Sequence, residues 1–274
     1  MTTLECASTV HSTILLDRRE PAPGIVVLGL HAPGLVRVTR PGQFVMVIPP
    51  TGESAATALA VYEAQGDRAS IFFVLCGSRT RELAGLHIGA RLDLFGPLGN
   101  GFDLSFKTHD VALVAGGVGI ASLWLAAEAI MAAGGRVRLY YGARTKGLLA
   151  DSRRFSDAGC SVQCATDDGS YGYHGYVTQL LDSCTDVPQA ILGCGPSPML
   201  RALAKVAAKF RVVAQLSLEE TFACGVGACW GCVVPLDRNS AQAPNSQPDD
   251  SASGHVYARI CKEGPVFRSD ELRW

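Results

Sequence analysis

The sequence predicts an antiparallel β-barrel, then an α/β unit with a parallel sheet, then a short cysteine-rich segment. Three observations predict this order. The early part of the chain has short β-rich runs between proline and glycine turns, residues from Asp110 onwards alternate between strands and helices, and cysteines crowd together after Leu218. Strands that alternate with helices form a parallel sheet with helices on both faces. We therefore expect three units, residues 1–105, 106–217 and 218–274.

The predicted barrel is built from runs rich in β-branched and aromatic residues. Proline and glycine at 33–34, 41–42 and 96–97 mark turns between them. Short strands at this spacing are typical of a small antiparallel barrel. The strands are expected at 25–30, 44–48, 71–75 and 91–95.

The second unit shows the periodicity of alternating strands and helices. Strands are predicted at 111–115, 137–141, 161–165, 190–192 and 211–216, and helices at 121–133, 148–157, 176–182 and 198–209. The acidic residues Asp151, Asp167 and Asp168 are interpreted as solvated loop residues.

Composition excludes several classes of protein. The 274 residues include 24 Lys and Arg against 25 Asp and Glu, so the chain has no excess of positive charge for nucleic acid. With 48% hydrophobic and 18% charged residues it is too apolar to be disordered. The apolar stretch 111–135 is interrupted by glycines at 116, 117 and 119, which predicts a strand, turn and helix rather than a membrane span. The N-terminus has no export signal, and we expect a cytoplasmic protein without a membrane partner.

A cysteine motif dominates the third unit. Cys224, Cys229 and Cys232, completed by Cys261, have the C-x4-C-x2-C…C spacing of plant-type ferredoxins, which hold a [2Fe–2S] cluster. Glycines in this segment allow a curled loop whose amides approach the sulfurs. A structural zinc site is the alternative, but its knuckles are usually paired C-x2-C steps. The polar run 237–255 is interpreted as an exposed, mobile loop, with contact to a partner as the alternative.

Two glycine loops point to a dinucleotide. Residues 116–121 (GGVGIA) follow a predicted strand and open a predicted helix, where backbone amides favour a pyrophosphate; a tight turn without ligand is the alternative. Residues 193–196 (GCGP) lie at the end of another strand, the edge where open α/β sheets bind ligands. Cys194 is interpreted as lining the nicotinamide site, with a small core residue as the alternative.

Together these features resemble the ferredoxin–NADP reductase superfamily, and within it most closely the electron-transfer subunits of two-subunit, NAD-dependent dihydroorotate dehydrogenases. The resemblance covers nearly the whole chain. Its matching segments are 41–45 (PGQFV), 96–102 (GPLGNGF), 116–121, 193–196, 219–232 and 261–267 (CKEGPVF). The last two are the most specific to these subunits.

The resemblance implies that the barrel holds FAD, that the second unit binds NADH or NADPH, and that the cluster passes single electrons to FMN in a catalytic partner subunit, within a heterotetramer that oxidises dihydroorotate for pyrimidine biosynthesis. No acid–base catalyst is expected, because the chemistry resides in cofactors. The residues implied are Phe73, Gly77, Arg79 and Thr80 for the flavin, Gly116, Gly117, Gly119, Ala121, Gly193, Cys194, Gly195 and Pro196 for the nucleotide, and the four cysteines for iron.

The chain departs from this family where FAD should be held. The family's Arg-Pro-x-Ser element falls on Thr57-Ala58-Leu59-Ala60, which lacks the guanidinium and the hydroxyl, and Val74 stands where an arginine is common. Thr80 matches the phosphate-binding threonine. Arg79 replaces a usual glycine and is hypothesised to supply the missing positive charge. The alternative is an exposed loop cation.

Two other functions stay open. One is the flavin and iron–sulfur subunit of another oxidoreductase complex. The other is a diverged relative that has lost FAD and acts as a binding or regulatory subunit. Trp230, inside the cysteine loop, is interpreted as an apolar lid, with a partner interface as the alternative.

Overall fold

The computed structural model describes residues 9–50, 55–105, 110–242 and 255–274. Three units follow one another, as predicted: a closed barrel, a seven-stranded sheet with helices, and a small cysteine-rich segment. Within these ranges, no helix is long and apolar enough to cross a membrane.

The barrel consists of six antiparallel strands with two short helices. Its strands are β1 (Thr9–Ala22), β2 (Ile25–His31), β3 (Phe44–Ile48), β4 (Thr57–Gln65), β5 (Arg68–Val74) and β6 (Arg91–Leu98), and its helices are α1 (Pro33–Val36) and α2 (Ser78–Ala84). The order around the barrel is β1-β2-β5-β4-β3-β6, and β6 pairs back onto β1. The four predicted strands are confirmed. Strands β1 and β4 were not predicted, because their outward-facing residues break up the apolar runs.

The second unit is a sheet with helices on both faces. Its strands are β7 (Asp110–Gly116), β8 (Arg136–Ala143), β9 (Ser161–Thr166), β10 (Tyr173–His174), β11 (Ala190–Cys194) and β12 (Val213–Ser217). Its helices are α3 (Trp124–Ala132), α4 (Ser152–Asp157), α5 (Val177–Asp182) and α6 (Ser197–Phe210). All six strands pair in parallel, in the order β10-β9-β8-β7-β11-β12.

Three predicted boundaries in this unit need correction. The helix expected from residue 121 starts as a 3₁₀ turn over Gly117–Leu123, and the α-helical part begins at Trp124. The helix expected from residue 148 begins only at Ser152, after a separate 3₁₀ turn. The strand expected from Arg211 begins at Val213, because Arg211 has a φ of 58° and ends α6 in the left-handed conformation.

The third unit contributes the strands β13 (Val233–Asp237), β14 (His255–Arg259) and β15 (Val266–Arg268). Strands β13 and β14 form an antiparallel pair. Strand β15 pairs antiparallel with β12, so the third unit adds the last strand to the sheet of the second. The predicted exposed loop joins β13 to β14, and residues 243–254 of it lie outside the described residues.

Two apolar cores hold the units together. The first runs from the barrel interior to one face of the sheet, where Tyr62 of the barrel meets Trp124 of α3, which in turn packs against Phe155 of α4. The second covers the other face with α5 and α6, and it continues into the cysteine-rich segment through Leu236 and Phe267. The third unit therefore has an apolar core in addition to its cysteines.

The interpretation of Asp151 as a solvated loop residue is wrong. Its side chain is 11% exposed and accepts hydrogen bonds from Arg19 and Tyr62 of the barrel. Sequence position suggested a loop, but the packing of α4 against the barrel buries this carboxylate between two units. Asp167 and Asp168 are exposed, as expected.

Candidate functional site

The four cysteines of the motif lie around one curled loop between β12 and β13. The amide of Cys229 donates to the sulfur of Cys224 at 3.5 Å, and the amide of Cys261 donates to the sulfur of Cys232 at 3.4 Å. Cys261 follows the end of β14 closely, and the bond from Ile260 N–H to the carbonyl of Cys232, 2.8 Å, ties the two segments together. The chain thus brings all four predicted ligands together as two pairs.

Two glycines give the loop its shape. Gly225 and Gly227 have φ values of 71° and 79°, a region that is costly for other residues. A side chain on Gly225 would meet Met46 of β3 at 2.6 Å, so the loop lies directly against the barrel. The positions of the cysteines therefore depend on glycines that the sequence places between them.

The surroundings set the pKa values of two thiols in opposite directions. Cys224 is partly exposed, and although desolvation raises its pKa, backbone amides of Cys229, Val226 and Ala228 lower it to about 6. Burial and the neighbouring Cys232 raise the pKa of Cys261 to about 12. The amide donors around Cys224 favour the thiolate, which is the form that binds metal.

The donor set fits a [2Fe–2S] cluster. In such a cluster each iron takes two thiolates, so the protein must present two pairs of cysteines rather than four around one point. Among the residues that the structure describes, no three His, Cys, Asp or Glu side chains meet around one metal ion. Cys224 with Cys229 and Cys232 with Cys261 are the pairs that would each hold one iron.

A cavity of about 260 Å³ opens between the barrel, the sheet and the start of the cysteine loop. Its aromatic wall is formed by Phe44, Phe72, Phe73 and Phe222. The segment 57–60 of β4, where the resemblance places the lost Arg-Pro-x-Ser element, forms another wall. An apolar, aromatic cavity of this kind suits a planar ring system such as a flavin.

The cavity holds little positive charge. Its charged lining residues are Glu219 and Glu220, and no lysine or arginine is among the described residues that line it. The hydroxyl of Thr57 is buried at its wall without a hydrogen-bond partner. The cavity therefore fits the ring of a flavin better than its phosphates, and one wall residue, Thr57, keeps a buried hydroxyl without a partner.

Of the residues predicted to hold the flavin's phosphates, Thr80 lines the cavity and Arg79 lies beside it in α2. Thr80 lines the cavity, but its hydroxyl accepts from the amides of Cys76 and Gly77 at 3.0 and 3.2 Å and thereby begins helix α2. The guanidinium of Arg79 donates to the carbonyl of Ala56 at 3.3 Å. This hydrogen bond connects α2 to the residue just before β4. Arg79 thus contacts the residue that directly precedes the segment without the family's arginine.

The two glycine loops meet each other. A side chain on Gly119 would come within 2.3 Å of the carbonyl oxygen of Cys194, and one on Gly195 within 3.0 Å of the backbone of Gly116. Both loops lie at the carboxyl ends of neighbouring parallel strands, β7 and β11. Close backbone packing at this edge forms the crevice where α/β sheets bind nucleotides, with Ala121 on its cavity side.

Cys194 lies one layer behind the cavity. It is fully buried, and its thiol donates to the carboxylate of Glu219 at 3.5 Å. Burial raises the pKa of Cys194 well above its ordinary value. Glu219 lines the cavity and is exposed there, and desolvation by the cavity walls raises the pKa of its carboxyl.

Sequence reasoning did not single out Glu219 as a functional residue. The signal was present, because Glu219 comes two residues after β12, at the same edge of the sheet as the glycine loops. The Cys194–Glu219 pair joins the nucleotide crevice to the cavity. It therefore connects two sites that the sequence predicted separately.

Comparisons with known proteins identify relatives of this chain. A family model described as the iron–sulfur cluster binding domain of dihydroorotate dehydrogenase B matches residues 219–273. The electron transfer subunit of dihydroorotate dehydrogenase B (NAD(+)) from Caldanaerobacter subterraneus subsp. tengcongensis is 32% identical over 232 residues, 85% of this chain and 86% of that protein. The corresponding subunit from Enterococcus faecalis is 30% identical over 266 residues, 94% of this chain and 96% of that protein.

Solved structures give the same fold. An NADH-dependent reduced ferredoxin–NADP oxidoreductase, studied for flavin-based electron bifurcation, matches with a TM-score of 0.80 and 27% identity, over 96% of this chain and 90% of that chain. A ferredoxin NADP+ reductase from Neisseria gonorrhoeae with bound FAD and NADP matches with a TM-score of 0.63 and 17% identity, over 73% and 91%. The second likeness concerns the fold alone.

Proposed function

Because the chain belongs to the family of dihydroorotate dehydrogenase B electron transfer subunits, we propose that it takes electrons from NADH or NADPH and passes them to the catalytic subunit of a dihydroorotate dehydrogenase. The observation that carries this function is the continuity of its sites. Phe222 lines the cavity, and Cys224 follows two residues later on the same loop. A flavin in the cavity and a cluster on the loop would therefore be neighbours.

The proposal assigns one cofactor to each unit. Residues 1–105 would hold FAD, residues 106–217 the nicotinamide nucleotide, and residues 218–274 the cluster. When bound, a flavin accepts two electrons as a hydride and gives them up singly, which suits a one-electron cluster. The protein's contribution would be to hold the three groups in sequence.

Phe73 would pack against the flavin ring, while Gly77 and Thr80 would shape the turn beside its phosphates. Arg79 would supply the positive charge that the family takes from its Arg-Pro-x-Ser element. Its support is the position of its guanidinium beside Ala56, next to the cavity-lining Thr57. A guanidinium can bind phosphate through two parallel hydrogen bonds.

The touching glycine loops would receive the dinucleotide. Gly116, Gly117 and Gly119 would let its pyrophosphate approach the backbone before Ala121, and the segment 193–196 would lie beside the nicotinamide. We favour NADH as the donor, because the exposed carboxylates of Asp167 and Asp168 follow β9 at the same edge, where they would repel an additional phosphate.

The partner would be an FMN-containing catalytic subunit in a heterotetramer. The relatives are named as electron transfer subunits, a name that implies a catalytic partner. Three exposed apolar side chains surround the cysteine loop: Val226, Trp230 and Val233. An apolar patch around the last carrier in the chain suits docking of the next one.

A second candidate function is favoured by one observation. The cavity has no lysine or arginine among its described lining residues, so the chain could be a diverged subunit that binds a cluster without FAD. Its role would then be binding or regulation within a complex. The cofactor content of the purified protein separates the two functions.

The decisive experiment is an anaerobic UV–visible spectrum of the purified protein, with acid release of flavin and quantification of iron and sulfide. We expect about one FAD and one [2Fe–2S] cluster per chain, and bleaching of both by NADH. A cluster without flavin after reconstitution would favour the second candidate. A protein that holds both cofactors but is reduced by neither NADH nor NADPH would contradict the proposed electron transfer.

A further inference from the structure

A buried ion pair lies against the cysteine loop. The guanidinium of Arg259 pairs with the carboxylate of Glu263, and the two side chains are only 10% and 6% exposed. Glu263 also accepts from the backbone amide of Arg259 at 2.7 Å. Both residues stand two positions from Cys261, one on each side.

Arg259 reaches the other half of the cysteine motif as well. Its Nη1 donates to the carbonyl of Gly227 at 2.8 Å, in the stretch between Cys224 and Cys229. One cation therefore contacts the loop that carries the first pair of cysteines and stands beside a cysteine of the second pair. Glu263 contacts Arg259 rather than this loop.

Trp230 lies over the guanidinium of Arg259. The centre of its ring lies 4.5 Å from the guanidinium carbon of Arg259, in a cation–π contact. Trp230 has a φ of 57°, a conformation that is unusual for a large side chain. The ring shields Arg259 from water, so the charges of the pair are screened less than surface charges.

These contacts matter because of what reduction does to the charge of the site. A [2Fe–2S] cluster with four thiolates goes from a total charge of about −2 to about −3 when it accepts one electron, so nearby charges act more strongly on the reduced form. A buried cation favours the added electron, and a buried anion opposes it. A buried ion pair adds little net stability, because desolvation offsets its attraction.

We propose that the Arg259–Glu263 pair sets the reduction potential of the cluster, with Arg259 raising the potential and Glu263 lowering it. The inference rests on the proposed function, since it requires a cluster on the four cysteines. Arg259 acts as a positioning residue for the loop and as a fixed charge beside it. Trp230 keeps that charge in a dry environment.

The test compares the cofactor-loaded subunit with the variants Arg259→Gln, Glu263→Gln and the double variant. Midpoint potentials are measured by dye-mediated anaerobic titration, followed by EPR. We expect Arg259→Gln to lower the potential and Glu263→Gln to raise it, each by about tenfold in the ratio of reduced to oxidised cluster, which is about 59 mV for one electron. The double variant should lie between them.

Two further variants separate charge from structure. Lys262→Gln removes an exposed cation from the same turn and should shift the potential much less, because water screens it. Arg259→Lys keeps the charge and should stay closer to the wild-type potential than Arg259→Gln. If Arg259→Gln does not take up iron, the proposal is tested by the other two variants. The midpoint potential should still rise in Glu263→Gln and should change little in Arg259→Lys.

The outcomes distinguish this inference from the proposed function. Iron and sulfide are quantified in every sample, together with the EPR spectrum. Wild-type protein that takes up no cluster would overturn both. If the wild-type protein takes up a cluster, but the midpoint potential shifts in the same direction in both single variants or shifts in neither, only the role of the pair is overturned.

Discussion

Asp151 accepts hydrogen bonds from both terminal nitrogens of Arg19, at 2.7 and 2.6 Å, and a third from the hydroxyl of Tyr62 at 2.7 Å. Arg19 and Tyr62 belong to the barrel, whereas Asp151 stands just before α4 in the second unit. Beside this carboxylate, the guanidinium of Arg154 lies 4.0 Å from the ring centre of Trp124. The contact fixes the barrel against the sheet, and the cavity has walls from both.

We expect Asp151→Asn to weaken this contact. The substitution keeps the shape of the side chain and tolerates the φ of 55° found at Asp151, but it leaves Arg19 without its anionic partner. A hydrogen bond to a charged group contributes about 1.5–3 kcal/mol, so the free energy of unfolding should fall by about 2 kcal/mol. Urea denaturation followed by tryptophan fluorescence measures the loss.

Asp157→Asn is the matched control. Asp157 lies on α4, the helix that Asp151 precedes, and pairs with Arg153, but both side chains are largely exposed, at 67% and 90%. Exposed pairs of this kind contribute less than about 1 kcal/mol. Equal losses in the two variants would contradict the role assigned to Asp151.

Much of the fold could be predicted from periodicity. Strands β7 and β11 are nearly continuous apolar runs, because a parallel sheet buries both of their faces. Strand β15 could not be predicted: it has three residues, and it is a strand only because Phe267 packs beside Leu216 of β12. Such a pairing depends on contacts between residues far apart in the chain.

The candidate site, too, has residues that could be predicted from the sequence and residues that could not. The cysteine motif and the glycine loops were found because their chemistry requires fixed spacings along the chain. Glu219 and Arg259 were not found, because their partners, Cys194 and Gly227, are distant in sequence and meet them only after folding. Spacing predicts ligands of a cofactor better than it predicts the residues that tune them.

Cys232→Ser should abolish the cluster. Cys232 is buried and its sulfur already accepts from the amide of Cys261, so serine would leave one iron without a thiolate. We expect iron and sulfide to fall to background while NADH still reduces bound flavin. Cys164→Ser, on β9 away from the motif, is the control and should keep its full iron content. A Cys232→Ser protein with normal iron and sulfide would contradict the ligand assignment.

Arg79→Ala should weaken FAD binding. If the guanidinium of Arg79 contacts the pyrophosphate, its loss removes a charge-assisted hydrogen bond, which corresponds to about a tenfold or larger increase in Kd. Flavin occupancy after gel filtration and a fluorescence titration of the apoprotein measure the change. Arg81→Ala removes an exposed arginine from the same helix and should bind FAD normally. An unchanged affinity for FAD in Arg79→Ala would mean that Arg79 is an exposed loop cation without a role in FAD binding.

Thr57→Arg tests whether the missing positive charge limits FAD binding, because it adds a guanidinium to the cavity wall. Thr57 lines the cavity where the family resemblance places an arginine, and its hydroxyl has no partner. A guanidinium there should lower the Kd for FAD by about tenfold, since it would neutralise part of the pyrophosphate charge. Thr57→Met has a similar length without the charge and should not improve binding. Equal affinity in the two variants would show that the charge deficit is not what limits binding.

Glu219→Gln should remove a dependence of stability on pH. Desolvation raises the pKa of Glu219 above its ordinary value of 4.5, so the folded protein holds this proton more tightly than the unfolded chain does. The stability that follows is fully present below about pH 4.5 and is lost as pH rises through the folded-state pKa. Relative to wild type, the variant should therefore become increasingly stable, by thermal unfolding, as pH rises from about 4.5 through the folded-state pKa. Near pH 4 the carboxyl is protonated in both states, so the two proteins should differ there only by the exchange of a carboxylic acid for an amide. A difference in Tm that stays constant over the whole range would mean that Glu219 ionises in the cavity as it does in water, and the raised pKa would then be contradicted.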